Sequence, residues 1–152
     1  MSDPIAFTSR TSRFGIPFLF SGQAQKEFYI NEAFALVDAL LQPVVEGLAN
    51  SPPVEPLEGS CWLVDGSPAD AWSGHAADIA CYQAGSWLFA PAAEGMRVFD
   101  RASGAYLQFR NGWSSPETIA PPSGGSNVDI EARAAIASLI NALGAGGLII
   151  QG

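Results

Sequence analysis

Ala105-Tyr-Leu-Gln-Phe-Arg-Asn-Gly-Trp113 decides how most of this chain folds. Over Ala105–Arg110 alternate side chains differ in polarity, as they do when a strand sends them to opposite sides of a sheet. Arg110-Asn-Gly112 then supplies the positive φ of a tight hairpin, with Gly taking it at no steric cost. The same grammar extends backwards. Cys61–Val64, Asp78–Tyr82, Trp87–Ala90, Met96–Asp100, Ala105–Phe109 and Trp113 each read as a short strand, punctuated by Gly, Asp, Asn or Ser. Gln83-Ala-Gly85-Ser reads as a second tight turn and Arg101-Ala-Ser-Gly104 as a slightly longer one. Six short strands joined this closely predict an antiparallel β-meander. A loose repeat runs through it, Tyr82-(x)2-Gly85-x-Trp87 and Phe109-(x)2-Gly112-Trp113, with Asp70-Ala-Trp72-Ser-Gly74 of related composition. Two imperfect copies do not make a propeller or a solenoid.

Upstream the period changes from that of a strand to that of a helix. In Pro17–Leu41 apolar residues recur at Ile30, Ala33, Phe34, Val37, Leu40 and Leu41, one face of a helix, while Glu27, Asn31, Glu32 and Asp38 fall on the other. Ser21 and Gly22 mark its entry, and Pro43 stops it after Gln42, with a weak continuation through Val44-Val45-Glu46. Residues 1–22 read as an extended docking arm and 23–50 as the amphipathic helix. Asn50-Ser-Pro-Pro-Val-Glu-Pro56 forms a spacer, so 51–116 is the β module. Residues 117–127 are a Pro/Gly/Ser linker and 128–152 a C-terminal helix with its tail. That second helix is capped by Asn127 or Asp129 and ended by Gly144. Ala132, Ile136, Leu139 and Leu143 give it a short coiled-coil-like seam, widened by Ile130, Ile140 and Leu148-Ile-Ile150. A helix of about 15 residues is marginal alone in water. It must cover that face on the sheet or on copies of itself. The expected class is therefore α+β: arm, amphipathic helix, small antiparallel β-meander and C-terminal oligomerising helix.

Composition narrows the function. The chain has 152 residues, one domain's worth, with 48% hydrophobic and only 14% charged residues. Surface charge this sparse suits a protein that buries surface between subunits. A net charge of -8 argues against nucleic acid, which calls for clustered Lys and Arg. Met1-Ser-Asp-Pro lacks the basic and apolar regions of a signal peptide. No stretch approaches the roughly 18 consecutive apolar residues of a membrane span. Synthesis in the cytoplasm without membrane insertion is the expectation. Cys61 and Cys81, the only cysteines, are too few for a disulfide scaffold and read as buried free thiols, a bridge between them being the alternative.

Catalysis finds little support. His75 is the only histidine, which excludes His-based and Cys-His metal sites within one chain. It lies in Ser73-Gly-His-Ala-Ala-Asp78, without a nucleophile elbow, and reads as a turn residue. No phosphate loop, dinucleotide fingerprint or EF-hand sequence is present, so no cofactor and no metal is expected. The tryptophans at 62, 72, 87 and 113 read as filling a thin core, their N–H groups reaching carbonyls at the sheet edge. The alternative is that Trp72, Trp87 and Trp113 stack on sugar rings.

Pro17-Phe-Leu, Gly22-Gln-Ala-Gln-Lys-Glu27, Asn31-Glu-Ala33 and Val37-Asp38-Ala-Leu40 resemble the opening signature of an uncharacterised prophage and gene-transfer-agent family. Its members are encoded among tail-fibre and head-spike genes. The resemblance continues through Ser51-Pro-Pro, Glu58-Gly59, Ala71-Trp72-Ser-Gly-His75, Gly85-Ser-Trp87, Glu94-Gly95 and Asn111-Gly-Trp113, over about residues 14–113. It implies a non-enzymatic virion part, a fibre or spike or its base, located in a phage-like particle and contributing to host attachment. Homo-oligomers are implied, trimers first and a pentameric base as the alternative, with other virion structural proteins as partners. Docking then falls to Phe14, Pro17, Phe18, Gln23, Gln25, Lys26, Ile30, Phe34 and Val37, and oligomerisation to Ile136, Leu139 and Leu143. The rival reading is a carbohydrate-binding module that recognises host surface or capsular polysaccharide through exposed tryptophans. An enzyme that cleaves such polysaccharide is disfavoured, because so small a sheet leaves little room for a cleft.

Overall fold

The computed structural model describes residues 18–19 and 26–151. Two helices and a set of short, mostly antiparallel strands form an α+β fold with a C-terminal helix, divided into two compact units at Ala92/Ala93. The spacer at 51–56 and the linker at 117–127 each lie inside a unit, because strands and turns on either side of them pack together.

The first unit contains helix α1 (Lys26–Leu40) and strands β1 (Val44–Val45), β2 (Leu48–Ala49), β3 (Cys61–Val64), β4 (Ile79–Gln83) and β5 (Ser86–Ala90). β2 to β5 form a sheet in that order, with β2 parallel to β3 and the other neighbours antiparallel. Val44-Val45 is extended and does not continue the helix. Pro43 carries no N–H to extend a helical ladder, Val45 is fully buried, and the Glu46 N–H donates to the Cys61 carbonyl at 2.8 Å. Alternation sends Trp62, Val64, Ala80, Tyr82, Trp87 and Phe89 to one face of the sheet. Trp72, in a single 3-10 turn at Asp70–Trp72, packs with Val64 and Ala80 as the core of that side. Cys61, Leu63, Ile79 and Cys81 occupy the opposite face and are all buried.

Helix α1 packs on β5. Among its described side chains the buried ones are Ala35, Asp38 and Ala39, not the stripe of larger residues. Two alanines let the helix come close, and with Asp38 they line a small cavity beside Cys61 and Cys81. Asp38, assigned to the polar face by periodicity, is only 2% exposed. Ile30, Val37 and Leu41 are left facing solvent.

Cys61 and Cys81 are directly opposed across β3 and β4 and form a disulfide, with Cα atoms 4.1 Å apart. The expectation of free thiols is overturned. The flanking pair Trp62 and Ala80 holds the ladder hydrogen bonds, which places the cysteines at a close, non-hydrogen-bonded position where a bridge can close.

The second unit contains β6 (Arg97–Asp100), β7 (Ala105–Phe109), β8 (Trp113–Ser114), β9 (Thr118–Ile119), α2 (Ile130–Ala145) and β10 (Ile150–Gln151). β6, β7 and β8 pair antiparallel in succession, and β9 pairs parallel with β10. The Asp100 carboxylate accepts from the N–H groups of Ala102 and Ser103, both at 3.1 Å, and from the Ser103 hydroxyl at 2.6 Å, fixing the turn into β7. Asp129 caps α2 by accepting from the Ala132 N–H at 2.9 Å. The helix passes Gly144 and ends at Ala145, after which Leu148 N–H closes back on Leu143 O. It contains no buried residue.

The loose sequence repeat is a structural duplication. In β3–β4–β5 the Gly59 N–H donates to Tyr82 O, Ser60 N–H to Leu57 O and Tyr82 N–H to Ser60 O. In β6–β7–β8 the Gly95 N–H donates to Phe109 O, Met96 N–H to Ala93 O and Phe109 N–H to Met96 O. The hairpins match as well: Ala84 and Asn111 take φ of 53° and 54°, each followed by a glycine of positive φ. In each copy a glutamate some distance upstream closes the turn. Glu58 accepts from Ala84 and Gly85, and Glu94 from Asn111. The aromatic pairs Tyr82–Trp87 and Phe109–Trp113 are therefore equivalent, with ring centroids 5.1 and 5.3 Å apart.

Candidate functional site

Three features are the candidates for chemistry or recognition: the aromatic side of the first sheet, the turn around His75, and the apolar stripes of the two helices.

The aromatic side is a packed cluster. Trp72 meets Trp87 edge to face at 5.1 Å and Trp62 at 6.4 Å, while Trp62 and Trp87 are 5.6 Å apart. Edge contacts of this kind suit the aromatic quadrupole and add to the burial of large rings. Trp72 is 0% exposed, as the core reading expected, and cannot stack on a sugar, which removes it from the alternative glycan surface. Its Nε1 has no hydrogen-bond partner among the described residues, contrary to the expectation that each indole would reach a carbonyl. Val64, Ala80, Ala49 and the Trp62, Trp87 and Phe89 rings belong to the same apolar cluster. Trp87 is half-buried in the first unit, and Trp113 is half-buried in the second against Phe109.

His75 lies flat on Phe89, ring centroids 3.5 Å apart at 6°, and its Nδ1 is 3.0 Å from Oδ2 of Asp78. Backbone bonds from His75 N–H to Trp72 O and from Asp78 N–H to His75 O close the turn. The imidazole is held by a ring on one side and a carboxylate on another, the position of a turn residue. Among the described residues no group of three or more His, Cys, Asp or Glu side chains converges on a point where a metal ion could sit.

The helices present the remaining feature. On α2, Ile130, Ile136, Leu139 and Leu143 are all exposed, 72%, 42%, 62% and 38% respectively, and Leu148 beyond it is exposed too. From Ala134 to Ala145 the helix carries no charge. On α1, Ile30 and Val37 are exposed and Phe34 is half-buried. Phe18, expected on a docking surface, is instead buried within its own chain, near Asn31, Ala35 and Leu88. A two-point clamp explains this: the Leu19 N–H donates to Asn31 Oδ1 at 2.8 Å, and Asn31 Nδ2 donates to Leu19 O at 3.1 Å. Asn31 thus ties the preceding segment to the helix, a role its place on the polar face did not reveal. Lys26 opens α1, whereas Phe14, Pro17, Gln23 and Gln25 lie outside the described residues. Among these residues no helix is long and apolar enough to cross a membrane.

Sequence reasoning overlooked Glu58 and Glu94. The signal was present as two Glu-Gly pairs, each ahead of a hairpin that ends in Gly and an aromatic. A search of curated proteins finds no match to the chain. A family model described as "Protein of unknown function (DUF2793)" matches residues 30–114, more than half of the chain and both copies of the duplicated meander. This chain belongs to that family, DUF2793.

Proposed function

We propose that this protein is a structural subunit of a phage-like particle, a fibre or spike or its base, which assembles by association of α2 with α2 of further copies and contributes to host attachment. The observation that carries this reading is the exposed, charge-free face of α2, on which Ile136, Leu139 and Leu143 keep a seam spacing that none of the described residues buries. A copy of the same helix is the occupant that fits, since an uncharged seam offers nothing to a charged partner and packs best on its like. The stripe of Ile30 and Val37 on α1, continued by Leu41 just past its end, is a second apolar surface, suited to a neighbouring virion protein. Low overall charge and the Cys61–Cys81 bridge fit a part that works in an assembly outside the reducing cytoplasm. The prophage and gene-transfer-agent setting rests on the sequence resemblance alone. Electron microscopy of particles labelled with an antibody to this chain tests the placement. Label on the particle is the expected result, and particles free of both label and protein would refute the reading.

A further inference from the structure

The two copies of the meander have diverged on one face. In the first copy that face carries Cys61, Leu63, Ile79, Cys81 and Leu88, sealed by the disulfide and by α1. Matching the registers puts Arg97, Phe99, Tyr106, Gln108 and Ser114 at the equivalent positions of the second copy. Where the first copy has two bridged cysteines, the second has an arginine opposite a glutamine. The backbone bonds that enter the two copies correspond, and the second hairpin is one residue shorter between its paired aromatics.

A cavity of about 120 Å³ lies there, lined by Arg97, Tyr106, Gln108, Ser114 and Ser115, with Gly147 and Leu148 of the C-terminal tail at its edge. Tyr106 is 45% exposed. Its N–H donates to Gly147 O at 2.8 Å, and Gly147, with φ of +67°, lies so close that a Cβ there would come within 3.3 Å of the Tyr106 and Phe99 rings. The tail thus holds the tyrosine ring from one side. No ion pair of Arg97 is present among the described residues, and no carboxylate lines the cavity. The second unit has four arginines against five carboxylates, so most of the chain's negative charge belongs to the first unit.

From this we infer that the second copy of the repeat is a binding site for one acidic sugar residue, of the uronic-acid class. The planar guanidinium of Arg97 matches a carboxylate with two parallel hydrogen bonds. The Gln108 amide and the Ser114 and Ser115 hydroxyls suit ring alcohols, and the Tyr106 ring offers a face to sugar C–H groups. The volume admits a single ring, well below what a drug-sized ligand occupies. None of the clustered tryptophans Trp62, Trp72 and Trp87 lines this cavity, and of the exposed apolar residues on α2 and its tail only Leu148 does.

Titration of the full chain with methyl glucuronide, followed by heteronuclear NMR, tests it, with methyl glucoside and inorganic phosphate as parallel probes. Saturable binding is expected, with shifts at Tyr106, Gln108 and Leu148. Methyl glucoside should bind at least tenfold more weakly. Arg97→Gln should weaken glucuronide binding at least tenfold, Arg97→Lys should weaken it less, and Arg110→Gln, outside the cavity, should leave it unchanged. The spectrum of each variant reports whether it is folded, and its sedimentation whether assembly is intact. Absence of saturable binding, equal binding of phosphate (an anion site only), or full binding by folded Arg97→Gln would each overturn the inference.

Discussion

The Glu58 carboxylate reaches across the chain to Gly85, accepting from its N–H at 2.9 Å while the other oxygen takes the Ala84 N–H at 2.8 Å. One side chain thus ties the entry of β3 to the hairpin between β4 and β5. Hydrogen bonds to an ionised acceptor contribute about 1.5–3 kcal/mol when sheltered, and exposure here puts the expected value at about 1 kcal/mol. Glu58→Ala should lower unfolding stability by about that amount. Glu94→Ala, which removes a single bond to Asn111, should cost less. Urea unfolding of the two variants gives the order directly.

The Cys61–Cys81 bridge closes a loop with a sequence separation of 20. On the chain-entropy account such a loop contributes about 3 kcal/mol by restricting the unfolded state. Unfolding in the presence of reductant, or of the Cys61→Ala/Cys81→Ala double variant, should show a loss of that order with the fold retained. Thiol titration of the unreduced, denatured protein should find no free thiol.

Trp72 separates a core tryptophan from a binding one. Truncation to Ala should cost about 3–5 kcal/mol, as for large buried aromatics in general. Trp72→Phe should cost distinctly less, because the Nε1 it removes makes no hydrogen bond. Thermal unfolding checks both values.

Much of the β portion was legible because its punctuation is local. Ala84 with Gly85, and Asn111 with Gly112, announce their hairpins from adjacent residues, and β3 and β7 run over the expected spans. What could not be read depends on contacts between distant residues. The disulfide follows from the register that sets Cys61 opposite Cys81, a fact carried by the pairing of two strands rather than by spacing. The inward side of α1 was misjudged because Ala35 and Ala39 count as weakly apolar, yet their small size is what lets a helix approach the sheet. Trp72 is core, as read from sequence, but the 3-10 turn that folds it onto Val64 and Ala80 comes from contacts the sequence does not display. Of the candidate surfaces, the α2 seam was legible from periodicity. The Arg97 cavity was not, since it takes β6, β7, β8 and the tail together to form it.

The assembly claim is tested most directly by sedimentation velocity of the purified chain at micromolar concentration. A single oligomeric species is expected, with a trimer the leading stoichiometry, and Ile136→Glu/Leu139→Glu on α2 should reduce it to a folded monomer. A wild-type chain that sediments as a monomer across that range would contradict the account.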